Sequence, residues 1–273
     1  MIYSRGSKFV TTVRPKLALT SIFSSGTTNA PYTANDILFD WTGFPFPKHP
    51  FAAKLVGLTV MVQGLDTALV EETMNIFFAQ PNPDGTAPPQ LGPEHAAIGN
   101  PPANGTPIRN YLGRVDTIST DNDEIFPFNA FYQLQSSIAA ADVMDLAYPM
   151  ILGSEALTTA TSNPGHLYIS ARALGTPDFG TGIALDEGSG VAATTAATTI
   201  TVKTQDPRKV FSIGDTIHAH DGAKVGVLTG FGDAAGSNKD TKLIFGGGIE
   251  NALADDDELI NLQPITIRLM FEA

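Results

Sequence analysis

Cysteine is absent from all 273 residues, which excludes disulfide frameworks, thiol nucleophiles and cysteine-based zinc or iron–sulfur sites. No apolar run approaches the roughly 20 residues needed to cross a bilayer. The Met1–Arg5 start has no apolar stretch behind its charges, so the expectation is a soluble chain that touches no membrane and is not exported by the usual signal. Charge is scarce too, at 16% of residues. Glu, Lys and Arg give way to Val, Ile, Thr and Phe, and 26 glycines and 19 prolines punctuate the chain. This composition favours many short strands joined by turns over helices. The scarcest charges are the cations, 16 against 28 carboxylates for a net charge of −12. Phosphate binding rests on Lys and Arg, so nucleic acid is not an expected partner.

What the sequence does have is period-two apolar patterning. Val56, Leu58, Val60 and Val62 recur at every second position, which in an extended chain puts them on one face, and Met74, Ile76 and Phe78 repeat the pattern after a polar loop. The pair predicts a β-hairpin or two strands of a sandwich. Other strands are expected at Asp36–Trp41, Tyr111–Ser119, Glu124–Gln135 with a break at Pro127, Tyr148–Leu152 and Leu167–Leu174. One short helix is expected at Ile138–Tyr148, which is rich in alanine. Gly43–Pro47 holds prolines that exclude helix and central strand. The aromatics around it, Trp41, Phe44, Phe46 and Phe51, fit a core or loop base better than a sugar site. Eight prolines between Pro81 and Pro107 mark a long irregular loop, lying over the surface or reaching a neighbouring subunit.

After Gly175 a Gly/Thr/Ala-rich passage reads as a linker, and beyond it short strands recur at Ile200–Lys203, Thr216–Ala219, Val225–Leu228, Lys242–Phe245, Glu258–Leu262 and Ile265–Phe271. The reading is therefore all-β: an N-terminal arm or first edge strand over 1–30, a β-sandwich domain over 31–175, a linker over 176–199, and a small β-barrel or sandwich module over 200–273. Whether the last strand closes that module or returns to the first domain is left open by the pattern.

Candidate chemistry is thin. His218 and His220 share one face of a strand near Asp215 and Asp221, a donor set suited to a metal, but no motif fixes a third ligand and Asp221 belongs to an Asp-Gly turn. Asp255–Glu258 lacks the alternating spacing of a calcium loop. Gly246–Gly248 lacks the Lys-Ser or Lys-Thr of a phosphate loop, and Gly188–Gly190 is not a nucleophile elbow. His49, His95 and His166 each stand alone beside Pro or Gly. Asn104–Thr106 matches a glycosylation acceptor without the secretory context. No spacing singles out a catalytic carboxylate pair, so no catalytic residue, metal or cofactor is assigned. Charge is instead unevenly placed: Arg5, Lys8, Arg14 and Lys16 precede the first acidic residue, Asp36, giving the first 35 residues +4. A basic arm of this kind suits an acidic neighbour in an assembly.

In the order of these features the chain resembles a group of tailed-bacteriophage virion structural proteins, of the head decoration or cement type. The resemblance runs from Ile22 to Leu174 and is carried by the Tyr32–Ile37 step, a hairpin of Leu55–Val62 and Met74–Phe78, the Asn82–Asp84 passage directly after it, and the segments Leu146–Leu152 and Leu167–Leu174. Phe211–Asp215, Asp221–Gly226 and Ala252–Glu258 look like small β modules appended to phage structural proteins. The resemblance implies a jelly-roll or β-sandwich domain over 31–175 in a non-catalytic protein made in the host cytoplasm and located in the virion, on the capsid surface. Its implied partners are the major capsid protein or other virion proteins, with a homo-oligomer, favoured as a homotrimer, as its own state. The interface residues expected on this reading are Arg5, Lys8, Arg14 and Lys16 of the arm and Pro88, Pro89, Pro101 and Pro102 of the long loop. The alternative is a host- or glycan-binding fibre or appendage, or a neck or tail component, with Trp41, Phe44, Phe46 and Tyr111 as stacking rings.

Overall fold

The last strand of the chain has the most regular pattern. Ile265, Ile267, Leu269 and Phe271 are buried while Thr266, Arg268, Met270 and Glu272 face outward, the alternation of a strand with one face on a core. The computed structural model describes residues 8–17, 23–24, 28–29, 32–46, 52–63, 74–82, 86–98, 110–116, 124–126, 129–134, 150–153, 166–177, 183–184, 194–202, 206–232, 242–254 and 257–272. The expected helix at Ile138–Tyr148, like Arg5, His49, Phe51, Pro101, Pro102 and Asn104–Thr106, lies outside them.

The described strands are, in chain order, β1 (Lys8–Val13), β2 (Phe23–Ser24), β3 (Thr28–Asn29), β4 (Ile37–Pro45), β5 (Ala52–Gln63), β6 (Met74–Ala79), β7 (Tyr111–Asp116), β8 (Glu124–Phe126), β9 (Asn129–Leu134) and β10 (Met150–Gly153). Then follow β11 (His166–Ala173), β12 (Ile183–Ala184), β13 (Thr199–Thr201), β14 (Thr216–Ala219), β15 (Lys224–Val227), β16 (Gly230–Gly232), β17 (Lys242–Ile244), β18 (Glu258–Asn261) and β19 (Ile265–Glu272). The fold is all-β, and the strands pair antiparallel throughout.

Two sheets form a sandwich. One has the order β1-β19-β5-β9-β8, with β10 also on β5; the other has the order β4-β11-β6-β7. Leu58, Val60, Val62, Ile267, Leu269 and Phe271 from the first meet Leu38, Phe44, Ile76, Phe78, Leu167 and Ile169 from the second in one core. The runs at 52–63 and 74–79 therefore face each other across the sandwich and are not a hairpin. Nor do Val56, Leu58, Val60 and Val62 share a face. The register against β19 slips between Met270 and Phe271, which pair with Gly57 and Leu55. Val56 is the extra, half-buried residue of this bulge, and the inward phase runs through Ala53 and Leu55 before it and Leu58, Val60 and Val62 after it.

Within the N-terminal region, Lys8–Val13 form an edge strand: β1 pairs with β19 from Lys8↔Glu272 to Val13↔Ile267. The last strand returns to this sheet, so 265–272 leave the C-terminal module that the spacing had assigned to 200–273. The remaining short strands form two small sheets, β12-β18-β14-β15 and β13-β17-β16, around a second core that includes Ile200, Phe211, Ile217, Val225, Phe245 and Leu259. β18 belongs to both cores. Leu259 points into the module, while Ile260 and, just beyond the strand, Leu262 point into the sandwich.

Candidate interaction surfaces

Arg14 follows β1 directly, and its guanidinium crosses to the module. Nη1 lies 2.6 Å from Oδ1 of Asp215, whose side chain is fully buried, and Nη2 donates to the Gln263 carbonyl at 3.0 Å. Gln263 Nε2 donates back to the Arg14 carbonyl at 2.9 Å. The other Asp215 oxygen accepts from the Ser212 N–H and from Asn261 Nδ2, both at 2.9 Å, and Gln63 Nε2 reaches Ser212 Oγ at 2.6 Å. The Leu17 N–H donates to the Leu262 carbonyl at 2.8 Å, and Leu17 itself is buried. These bonds join the N-terminal strand, β5, the module and the lead-in to β19. Arg14 is thus engaged within the chain rather than presented to a neighbour, while Lys8 and Lys16 are exposed.

The proline-rich loop is likewise turned inward over its described part. Its 94–97 segment lines the free edge of β4, with Ile37 N–H donating to the Ala96 carbonyl at 3.0 Å and His95 N–H to the Ile37 carbonyl at 2.9 Å. Covering an edge in this way blocks strand addition there. Leu91 packs on Ile37 and Phe77, so β6 is buried on both faces along its length. Pro88 is buried and Pro89 half-buried, and the Pro89 carbonyl accepts the Trp41 indole N–H at 2.8 Å. Phe44 and Phe46 sit in the sandwich core. Of the four rings considered for sugar stacking, Tyr111 alone is exposed, at 44%. It tilts against Phe77 at 6.3 Å beside the chain Arg172–Asn75–Asp116–Arg114, linked by bonds of 2.6, 2.5 and 2.8 Å. Partial burial raises the Tyr111 phenol above its ordinary range, with Arg114 opposing.

The donors considered for a metal are used elsewhere or kept apart. Asp215 belongs to the junction just described. Asp221 accepts from the Ala223 N–H of its own turn at 2.8 Å, in which Gly222 takes φ +87°. The His220 ring stands 3.6 Å from Asp257, and His218 is half-buried between Lys16 and Lys224. Burial lowers its pKa first, and Lys16 and then Lys224 lower it further against a backbone hydrogen bond with Thr216. The three glycines 246–248 make a tight turn: Gly248 has φ +78°, and a Cβ there would stand 2.8 Å from the Ala196 carbonyl oxygen. His95 lies against Tyr32 at 4.8 Å.

Comparison with models of known protein families and with characterised proteins finds no match. The surface must therefore speak for itself. Five large apolar side chains are exposed among the described residues: Val10 at 61%, Met270 at 36%, Ile213 at 64%, Val227 at 46% and Tyr111. They occur in three places. Val10 and Met270 are cross-strand partners on the outer face of the six-stranded sheet. Ile213 and Val227 are on adjoining segments of the module, where the Gly214 N–H donates to the Leu228 carbonyl at 2.8 Å. Tyr111 opens β7, an edge of the four-stranded sheet. Scattered apolar exposure at this level was not legible in the sequence, because each residue belongs to a strand or turn whose neighbours are buried.

Proposed function

We propose that this protein is a structural subunit of a tailed-phage virion, a decoration or cement protein that strengthens the head through non-covalent contacts between subunits. The observation that supports this reading is the separate placement of exposed apolar side chains, Val10 with Met270 on the sandwich and Ile213 with Val227 on the module. A subunit that bridges neighbours needs at least two contact surfaces, and these two pairs lie on different parts of the molecule, one on the sandwich and one on the module. The resemblance in feature order between Ile22 and Leu174 supplies the virion context, and the exposed cations Lys8 and Lys16 offer complementarity to an acidic shell.

The test is an image of purified particles carrying a label on this chain, together with the heat resistance of heads lacking it. Labels on the outer head surface and earlier DNA release from deficient heads are expected. Label on the fibres or tail, or heads equally resistant without the chain, would overturn the assignment. In the fibre reading Tyr111 is the remaining exposed ring, with Trp41, Phe44 and Phe46 committed to the loop base and the core.

A further inference from the structure

We propose that the outer face of the six-stranded sheet at β1, β19 and β5 is the contact face for a second copy of this chain, which meets it head-to-tail with an acidic surface. Three rows of side chains run across these strands. The register places Lys8, Glu272 and Lys54 in the first, Val10, Met270 and Gly57 in the second, and Thr12, Arg268 and Thr59 in the third. The middle row is flat because a glycine completes it. A Cβ at Gly57 would stand 2.5 Å from Met270 Cε, so the Met270 side chain lies across the glycine. An apolar centre flanked by Lys8, Lys54 and Arg268, all exposed, has the layout of a protein contact: apolar middle, charged rim.

Charge selects the occupant. Three cations and one carboxylate give these rows +2, while the whole chain carries −12, so the rest of the molecule carries −14. Face-to-face pairing of two copies through a twofold axis would bring together two surfaces that each carry +2, and like net charges in contact are costly. A second copy presenting its acidic remainder has the complementary charge, and a contact between unlike surfaces closes into a ring when the rotation permits. This inference adds a specific face to the assembly reading and does not depend on the assembly being a virion.

Sedimentation velocity of the purified full chain in 50 and 500 mM NaCl tests it. The wild type is expected to sediment as an oligomer at low salt and to weaken about tenfold in apparent affinity at high salt. The triple variant Lys8→Glu/Lys54→Glu/Arg268→Glu is expected to be monomeric with an unchanged circular dichroism spectrum. Val10→Glu, at a side chain exposed to solvent, provides a second variant should the triple one fail to fold, and is expected to dissociate the oligomer too. Because both variants keep the acidic surface, mixing either with wild type should yield hetero-pairs. A wild type that is monomeric at low salt, an oligomer that survives both the triple variant and Val10→Glu, or a mixture without hetero-pairs would overturn the proposal. Particle labelling reads a different property, so either idea can fail without the other.

Discussion

At the scale of single residues, the junction around Asp215 sets the largest expected effects. Its carboxylate is fully buried and is held by Arg14, Ser212 and Asn261. Arg14→Met leaves that charge uncompensated and should cost about 3 kcal/mol, since breaking a buried pair from one side is worse than removing both members. Adding Asp215→Asn to Arg14→Met should therefore cost less than the two single changes summed, a coupling that a double-mutant cycle in urea will read. Strict additivity would mean that the pair is not energetically joined. His218 gives a pH-dependent counterpart. Its pKa is lowered in the fold by burial and by Lys16 and Lys224, so the unfolded chain binds the proton more readily. The stability it contributes is complete above the unfolded value of about 6.5 and is lost as pH falls through the folded value. His218→Gln cannot titrate. The stability difference between wild type and this variant should therefore shrink on the wild-type side between pH 7.5 and 5, and a pH-independent difference would exclude this role.

At the scale of elements, two glycines separate a flexible obstacle from a rigid one. At Gly248 an alanine meets both φ +78° and the backbone of Ala196, and strain of that kind costs about 1–3 kcal/mol. At Gly57 the obstacle is the end of the Met270 side chain, which can swing away, so Gly57→Ala should cost within about 1 kcal/mol. Denaturant midpoints will rank the two, and the reverse order would show that the Met270 packing is stiffer than its chemistry suggests. The same elements show how far the sequence could be read. Alternation predicted the strands at 54–62, 216–219 and 265–271, where one face is wetter than the other, and also the strand at 74–78, although β6 is buried on both of its faces. It misplaced Val56, since a bulge is written in the partner strand as much as in its own, and it could not reveal that 52–63 and 74–79 belong to opposite sheets. The +4 of the first 35 residues suggested a basic arm, but Phe9 and Val13 already carried the inward alternation of an edge strand. Arg14 lost its expected outward role to Asp215, a partner 201 positions away that no local pattern could announce.

For the whole molecule, the return of β19 changes what stability means. The module is inserted between β11 and β19, and β19 lies between β1 and β5 in the six-stranded sheet. The module cannot unfold without releasing Ile260 and Leu262 from the sandwich core, and the sandwich cannot lose β1 without losing the Arg14 bonds to Asp215 and Gln263. Removing the first 16 residues would thus take away the edge strand β1 along with the cations. Attachment is better tested with Lys8→Glu and Lys16→Glu, which change exposed side chains. Shared hydrophobic contacts of this kind make two cores cooperative. Ile260→Ala, made in the strand that serves both, should cost about 3 kcal/mol. It should lower hydrogen-exchange protection equally at amides of β5 in the sandwich and β14 in the module, because both open through the same global event. Loss of protection in one core alone would mean that the two fold independently and that β18 is a linker between domains.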